Sequence, residues 1–293
     1  MISLDNGRSE NMEVSRKQIE PIVLHALDED LGQGDITTDA LIPPASTARA
    51  LILVKANGVL AGIEVAEIVF QQVDPSLIFE RLAQDGARVQ AGSVIGVVTG
   101  KAASILKAER VALNFLQRLS GIATETAKYV AAVAGTGVKI LDTRKTTPGL
   151  RMLEKYAVRV GGGQNHRQNL GDGVLIKDNH LAALRASGVG LGEGVKRARA
   201  NVPCHLKIEV EVDTMEQAQT ALDAGADIVL LDNMGVSDMR RVVKLAQGRA
   251  LTEASGGITL DNVRAVAETG VDFISIGALT HSVKALDISI EFD

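Results

Sequence analysis

Aromatic residues are scarce: they make up 2% of the chain, and tryptophan is absent. The core must therefore be built from Val, Leu, Ile and Ala, and a stacking platform for single-stranded nucleic acid is not expected. Cysteine is nearly missing as well. Cys204 alone rules out an internal disulfide framework and fits a reducing cytoplasm. Its expected place is as a small buried residue rather than a nucleophile. Excess positive charge is lacking: the formal net charge of -5 gives no general drive toward nucleic acid or an anionic membrane. No apolar run is long enough to span a bilayer. The most apolar stretch, between Ala48 and Phe70, is broken by Arg49, Lys55, Glu64 and Glu67. Met1 to Glu13 is polar and offers no signal-peptide core. The histidines show no metal-ligand spacing.

What is present reads as a globular protein, with 46% apolar and 23% charged residues. The length allows two domains, or one barrel with an appendage. Residues 15–30 have the spacing of an amphipathic helix, with Ile19, Ile22, Val23, Ala26 and Leu27 on one side. From Ala48 to Gly100, short strand-like runs alternate with turn signals such as Ala56-Asn-Gly58. Lys101 to Leu119 is predicted helical and apolar on two sides, which implies deep burial or a second subunit.

Beyond Val138, strand and helix alternate. Strands are predicted near Leu141, Leu175, Val210, Leu230, Leu251 and Ile274, the later ones spaced roughly 22 residues apart, a βα period. Helices are predicted over Leu150–Val160, Met215–Ala224, Ser237–Ala246 and Asp261–Glu268, the last capped by Thr259. This pattern predicts a parallel α/β unit preceded by a separate α+β domain.

The strands share one device: a buried apolar run ends, and charged residues follow at once. Arg144, Lys145, Arg167 and Lys177 fall in turns or at strand ends, which suits a polyanionic small ligand. Arg151, Lys155 and Arg159, four apart, instead suit a solvated helix face. Glu211 and Asp232 end two successive strands. Each could serve in a structural ion pair, or the two could hold sugar hydroxyls and a Mg²⁺ carried by a phosphorylated substrate. Ser255-Gly256-Gly257 and the Gly277-to-His281 loop follow the last two strands, where barrels commonly bind phosphate. Gly96 to Ala102 falls one residue short of P-loop spacing.

Four segments together carry a family resemblance: Arg144-Lys-Thr-Thr-Pro-Gly-Leu-Arg151, Lys155-Tyr-Ala-Val158, Gly161-Gly-Gly-Gln-Asn-His166-Arg167 and Leu175-Ile-Lys-Asp-Asn-His180. They closely resemble the quinolinate phosphoribosyltransferases, also called nicotinate-nucleotide diphosphorylases (carboxylating). Glu109-Arg110, Glu29 to Asp35, Leu230-Leu-Asp-Asn233 and Gly277 to His281 extend the likeness over nearly the whole chain after about residue 15. The resemblance implies an N-terminal α+β open-faced sandwich domain, then an incomplete α/β barrel of about seven strands. The expected boundaries are 1–114 and 115–281, with the tail 282–293 packing back on the first domain.

The implied reaction joins quinolinate and phosphoribosyl pyrophosphate to give nicotinate mononucleotide, carbon dioxide and pyrophosphate, in cytoplasmic de novo NAD synthesis. By match to the motifs, Arg144, His166, Arg167 and Lys177 contact substrate, with Arg110 entering from a neighbour in a homodimer or larger assembly. Lys145, Lys177, Glu211 and Asp232 form the implied catalytic set, the two carboxylates meeting Mg²⁺ through the donor. Ser255, Gly256, Gly257, Gly277 and His281 would surround the donor's 5-phosphate. No organic cofactor is implied. Rival readings are a phosphoribosyltransferase with another acceptor, a Schiff-base aldolase using Lys177, and a non-enzymatic binding protein.

Overall fold

The computed structural model describes residues 14–293. The polar Met1-to-Glu13 segment, read above as lacking a signal core, lies outside the described residues. In chain order the elements begin with α1 (Arg16–Leu31), α2 (Ile36–Leu41), β1 (Thr47–Val54), β2 (Gly58–Val59), α3 (Ile63–Val73), β3 (Ile78–Arg81), β4 (Arg88–Val89), β5 (Val94–Lys101) and α4 (Ala102–Ala132). They continue with β6 (Lys139–Leu141), α5 (Arg151–Val160), β7 (Val174–Ile176), α6 (Asp178–Ala186), α7 (Leu191–Asn201), β8 (Ile208–Val212) and α8 (Met215–Asp223). The last are β9 (Ile228–Asp232), α9 (Val236–Ala246), β10 (Leu251–Ser255), α10 (Val263–Ala267), β11 (Phe273–Ser275), α11 (Ala278–His281) and β12 (Ile288–Phe292). Among the described residues, no helix is long and apolar enough to cross a membrane.

The chain divides into two compact units. One holds Lys128–Lys145 and Gly163–Gly277; the other holds the described chain up to Ala127, Thr146–Gly162 and Ala278–Asp293.

In the second of these, an antiparallel sheet runs β12-β1-β5-β3. Ala50, Ile52 and Val54 of β1 are buried at alternate positions, the period a pleated strand imposes. Ile63, Val65, Ala66, Ile68, Val69 and Phe70 bury most of α3. Helix α4 runs thirteen residues past its predicted end at Leu119. Its apolar stripe continues through the buried Ile122, Ala123 and Tyr129, and no proline interrupts it. Gly121 lies where the tail crosses this helix: a Cβ there would fall 2.4 Å from the Lys284 carbonyl oxygen. On α5, Lys155 contradicts the solvated-face reading. It is fully buried, as is Glu154, so this helix turns part of its charged face inward.

In the other unit, six parallel strands run β6-β11-β10-β9-β8-β7. Gln164 adds one parallel bridge to Leu141, beside β6. Six strands and a bridge thus stand where about seven strands were expected, and β6 and β7 end the sheet without pairing, leaving the barrel incomplete. Two local expectations fail. α10 starts at Val263 after Asn262, not at Asp261, and Thr259 does not cap it; the Thr259 N–H instead donates to Asn262 Oδ1 at 2.9 Å. Cys204 is exposed, because it falls in the turn between α7 and β8 rather than in either element.

Candidate active site

All six strands point the same way, so the groups that follow them emerge along one edge of the sheet. Thr143, Arg144 and Lys145 follow β6, Lys177 follows β7, Asp232 and Ser255 end β9 and β10, and Gly277 follows β11 closely. Register then decides which side chains share a face. Glu211 is opposite Leu230, Leu230 opposite Glu253, and Asp232 opposite Ser255. Residues directly opposite in a sheet project to the same side, and so do residues two apart in a strand. Glu209, Glu211, Asp232, Glu253 and Ser255 therefore share one face. The other face carries Val210, Val212, Val229, Leu231 and Ala254, all buried.

Lys177 Nζ lies 3.5 Å from Glu211 Oε2, joining the ends of β7 and β8. Glu211 and Asp232 line one cavity with Asp178, Asp213 and Arg185. Asn233 follows Asp232 with a positive φ of 53°. Its side chain occupies the space a Cβ at Gly256 would need, 2.4 Å from Oδ1, and its N–H donates to the Ser255 carbonyl at 2.9 Å. Gly256 and Gly257 both have positive φ, 84° and 60°. Only glycine makes that turn at low cost while admitting Asn233 so closely.

The arginines are set by the segment between Gln164 and β7. Buried Asp142 accepts the His166 N–H at 2.9 Å and the Asn165 amide, fixing this segment to the end of β6. Arg167 is 9% exposed and donates to the Gly173 carbonyl at 3.0 Å. Burial lowers the pKa of Arg167, and the neighbouring Arg144 guanidinium lowers it further. An anion between the two guanidiniums would relieve this repulsion. Lys145 is exposed, its N–H bonded to Thr143 Oγ1 at 3.0 Å.

Sequence reasoning missed the buried floor beneath these groups. His166 Nε2 is 3.0 Å from Glu209 Oε2 and 3.7 Å from Glu253 Oε2. Burial pushes both glutamates above the usual carboxylate range, and the charge of Glu209 raises Glu253 further. The three side chains are close enough to converge on a metal ion. However, His166 Nδ1 accepts the Arg167 N–H at 2.8 Å, which assigns the ring proton to Nε2. Neutral His166 then has no Nε2 lone pair for a metal, and the cluster fits a shared proton better. The available signal was strand parity: Glu209 is two residues before Glu211.

Arg110 and His281 belong to the other unit. Arg110 is exposed on α4; His281 ends α11, with Nδ1 2.6 Å from Ser282 Oγ.

Cations, carboxylates and glycine turns along the carboxyl edge of a parallel sheet define an α/β enzyme for anionic substrates. Comparison with known proteins narrows the class. The quinolinate phosphoribosyl transferase N-terminal domain model matches residues 35–120, and the C-terminal domain model matches 122–291. The chain belongs to this family. It is 45% identical over 274 residues to the Bacillus subtilis (strain 168) "Probable nicotinate-nucleotide pyrophosphorylase [carboxylating]", covering 94% of this chain and 93% of that protein. It is 46% identical to the Mycobacterium leprae nicotinate-nucleotide pyrophosphorylase [carboxylating], over 92% of this chain and 95% of the other. The crystal structure of NadC from Streptococcus pyogenes matches with a TM-score of 0.90 at 40% identity, covering 96% and 99% of the two chains.

Proposed function

We propose that this protein transfers the phosphoribosyl group from phosphoribosyl pyrophosphate to quinolinate, with decarboxylation, giving nicotinate mononucleotide, carbon dioxide and pyrophosphate. It is then a pentosyltransferase of de novo NAD synthesis, working in the cytoplasm as a homodimer or larger assembly. Family membership supports the reaction. The observation that carries the site assignment is the Lys177–Glu211 contact at 3.5 Å, together with buried Arg167, whose charge Arg144 opposes.

Quinolinate has two adjacent carboxylates. Arg144 and Arg167 meet them as charge-assisted donors, with Lys177 alongside, His166 placing Arg167 through its backbone N–H, and Arg110 supplied by a second subunit. Lys145, Glu211 and Asp232 hold the donor. Ser255, Gly256, Gly257, Gly277 and His281 surround its 5-phosphate. Glu211 and Asp232 offer the oxygen ligands that Mg²⁺ takes together with phosphate oxygens, so the residues fit a donor-borne ion. When bound, Mg²⁺ neutralises the pyrophosphate. The same carboxylates face the ribose, where an oxocarbenium-like state builds positive charge. Attack by the ring nitrogen makes the pyridine cationic. When the adjacent carboxylate departs as carbon dioxide, its electron pair stays on that ring carbon, stabilised by the neighbouring cationic nitrogen until a proton from water takes the carboxylate's place, so glycosyl transfer comes first.

The test is direct. The protein is mixed with quinolinate, phosphoribosyl pyrophosphate and Mg²⁺, and nicotinate mononucleotide and released carbon dioxide are measured. Turnover of nicotinic acid but not quinolinate would assign the other-acceptor activity instead.

A further inference from the structure

In the unit that holds α4 and α5, one guanidinium meets three separate stretches of chain. Arg118, midway along α4, donates from Nη2 to Glu154 Oε1 at 2.7 Å and from Nε to the same oxygen at 3.1 Å. Nη2 also reaches Thr147 Oγ1 at 3.2 Å and the Thr280 carbonyl oxygen. Glu154 is fully buried on α5. Its second oxygen accepts the Thr147 backbone N–H at 3.1 Å. The ion pair therefore grips Thr147 by side chain and backbone while holding Thr280 by its carbonyl.

The positions of those two threonines matter. Thr147 lies two residues after Lys145, in a segment from Asp142 to Thr147 with no helix or strand. A segment without its own hydrogen-bond ladder takes its place from side-chain anchors. Thr280 immediately precedes His281, in a helix of four residues that cannot hold its own position. Arg118 is partly exposed, whereas Glu154 is not. A buried carboxylate with both oxygens committed is costly unless its cation stays in place. Only a planar fork serves acceptors in several directions at once; lysine, a point charge, does not.

We propose that Arg118, through Glu154, is the positioning residue for the donor-binding half of the site. From a single anchor it holds Thr147, two residues after Lys145, and Thr280, the residue before His281. This rests on the function proposed above, in which Lys145 and His281 contact the phosphoribosyl donor. Arg118 does not itself touch substrate. Its loss displaces two phosphate-binding groups together, whereas Arg167 keeps its own bond to the Gly173 carbonyl.

The experiment compares wild type with Arg118→Lys and Glu154→Gln, using phosphoribosyl pyrophosphate as the titrant in calorimetry and both substrates in steady-state assays. Circular dichroism establishes folding. Expected is a donor Kd and KM raised about tenfold to a hundredfold in folded Arg118→Lys, the scale at which small misplacements act. The quinolinate Kd should move far less. If Glu154→Gln does not fold, Arg118→Lys still decides, because it keeps the buried charge compensated. A folded Arg118→Lys protein that binds donor as wild type does would overturn the proposal, and so would equal weakening of both ligands. A wild type that binds donor but does not turn over quinolinate counts against the reaction and leaves the positioning role standing. A wild type that binds no donor overturns both.

Discussion

The Nε2 atom of His166 stands 3.0 Å from the Glu209 carboxylate and 3.7 Å from that of Glu253. The neutral ring thus donates its outer proton to one buried acid, Glu209, while its inner nitrogen accepts the backbone N–H of Arg167. Arg167 is tied through this ring to the interior of the sheet.

That arrangement predicts a pH-dependent stability. Burial pushes Glu253 from 4.5 up to about 8. Below 4.5 both the folded and unfolded chains carry its proton. Above that value the unfolded chain ionises while the fold keeps its proton, so stability is lost as pH rises until about 8 is passed. Glu253→Gln removes this term. Its Tm should fall less than that of wild type between pH 5 and pH 8, by roughly the same buffers and salt. Parallel Tm profiles would contradict the buried protonated acid.

Arg144→Ala and Arg167→Ala should each weaken quinolinate binding far more than donor binding. Each loses charge-assisted hydrogen bonds of roughly 1.5–3 kcal/mol, about tenfold to a hundredfold in affinity. Separate titrations of the two ligands check this; unchanged quinolinate affinity in both variants would sink the assignment.

Glu211→Ala and Asp232→Ala should lower kcat and shift the Mg²⁺ dependence, because both carboxylates face one cavity. Glu211→Ala also strips Lys177 of its 3.5 Å partner, so its quinolinate KM should change as well. A Mg²⁺ titration of each variant separates the two. Normal rates throughout would leave these carboxylates with a structural role.

Exposed Arg110 leads to a prediction about assembly. If it serves a neighbour's site, an inactive Arg110→Ala chain mixed with an inactive Lys177→Ala chain should regain activity. With free exchange in a two-fold dimer, about a quarter of wild-type activity returns, since half of the dimers are mixed and each has one intact site. Tagged pull-down verifies exchange. Exchange without recovery would place Arg110 in the site of its own subunit.

Much of this architecture is legible in the residues. The runs ending at Lys177, Glu211 and Asp232 announce strand ends, and a parallel sheet puts strand ends on one edge. The boundaries of α8 and α9 follow from apolar spacing and from Gly225 and Gly248 just beyond them. Other features are silent for physical reasons. Strands buried on both faces do not alternate in polarity, so nothing marks Glu209 and Glu253 as neighbours across two intervening strand pairings. Lys155 reads as a surface residue because its burial depends on tertiary packing, which helical spacing does not encode. Cys204 reads as core by residue type, but the turn around it decides its exposure. The partners of β1 are equally hidden: β12 lies more than two hundred residues along the chain.

That last pairing governs the order in which the molecule can be completed. Ala50 to Val54 align with Ile288 to Phe292, so one edge of β1 has no neighbour until more than two hundred further residues have been made. At about 5–20 residues per second, that edge waits on the order of ten seconds or more after it is synthesised. An open strand edge is a template for pairing with other chains. The early-made sheet thus needs shielding by a chaperone or by its own helices, and loss of Ile288–Phe292 would make that interim exposure permanent.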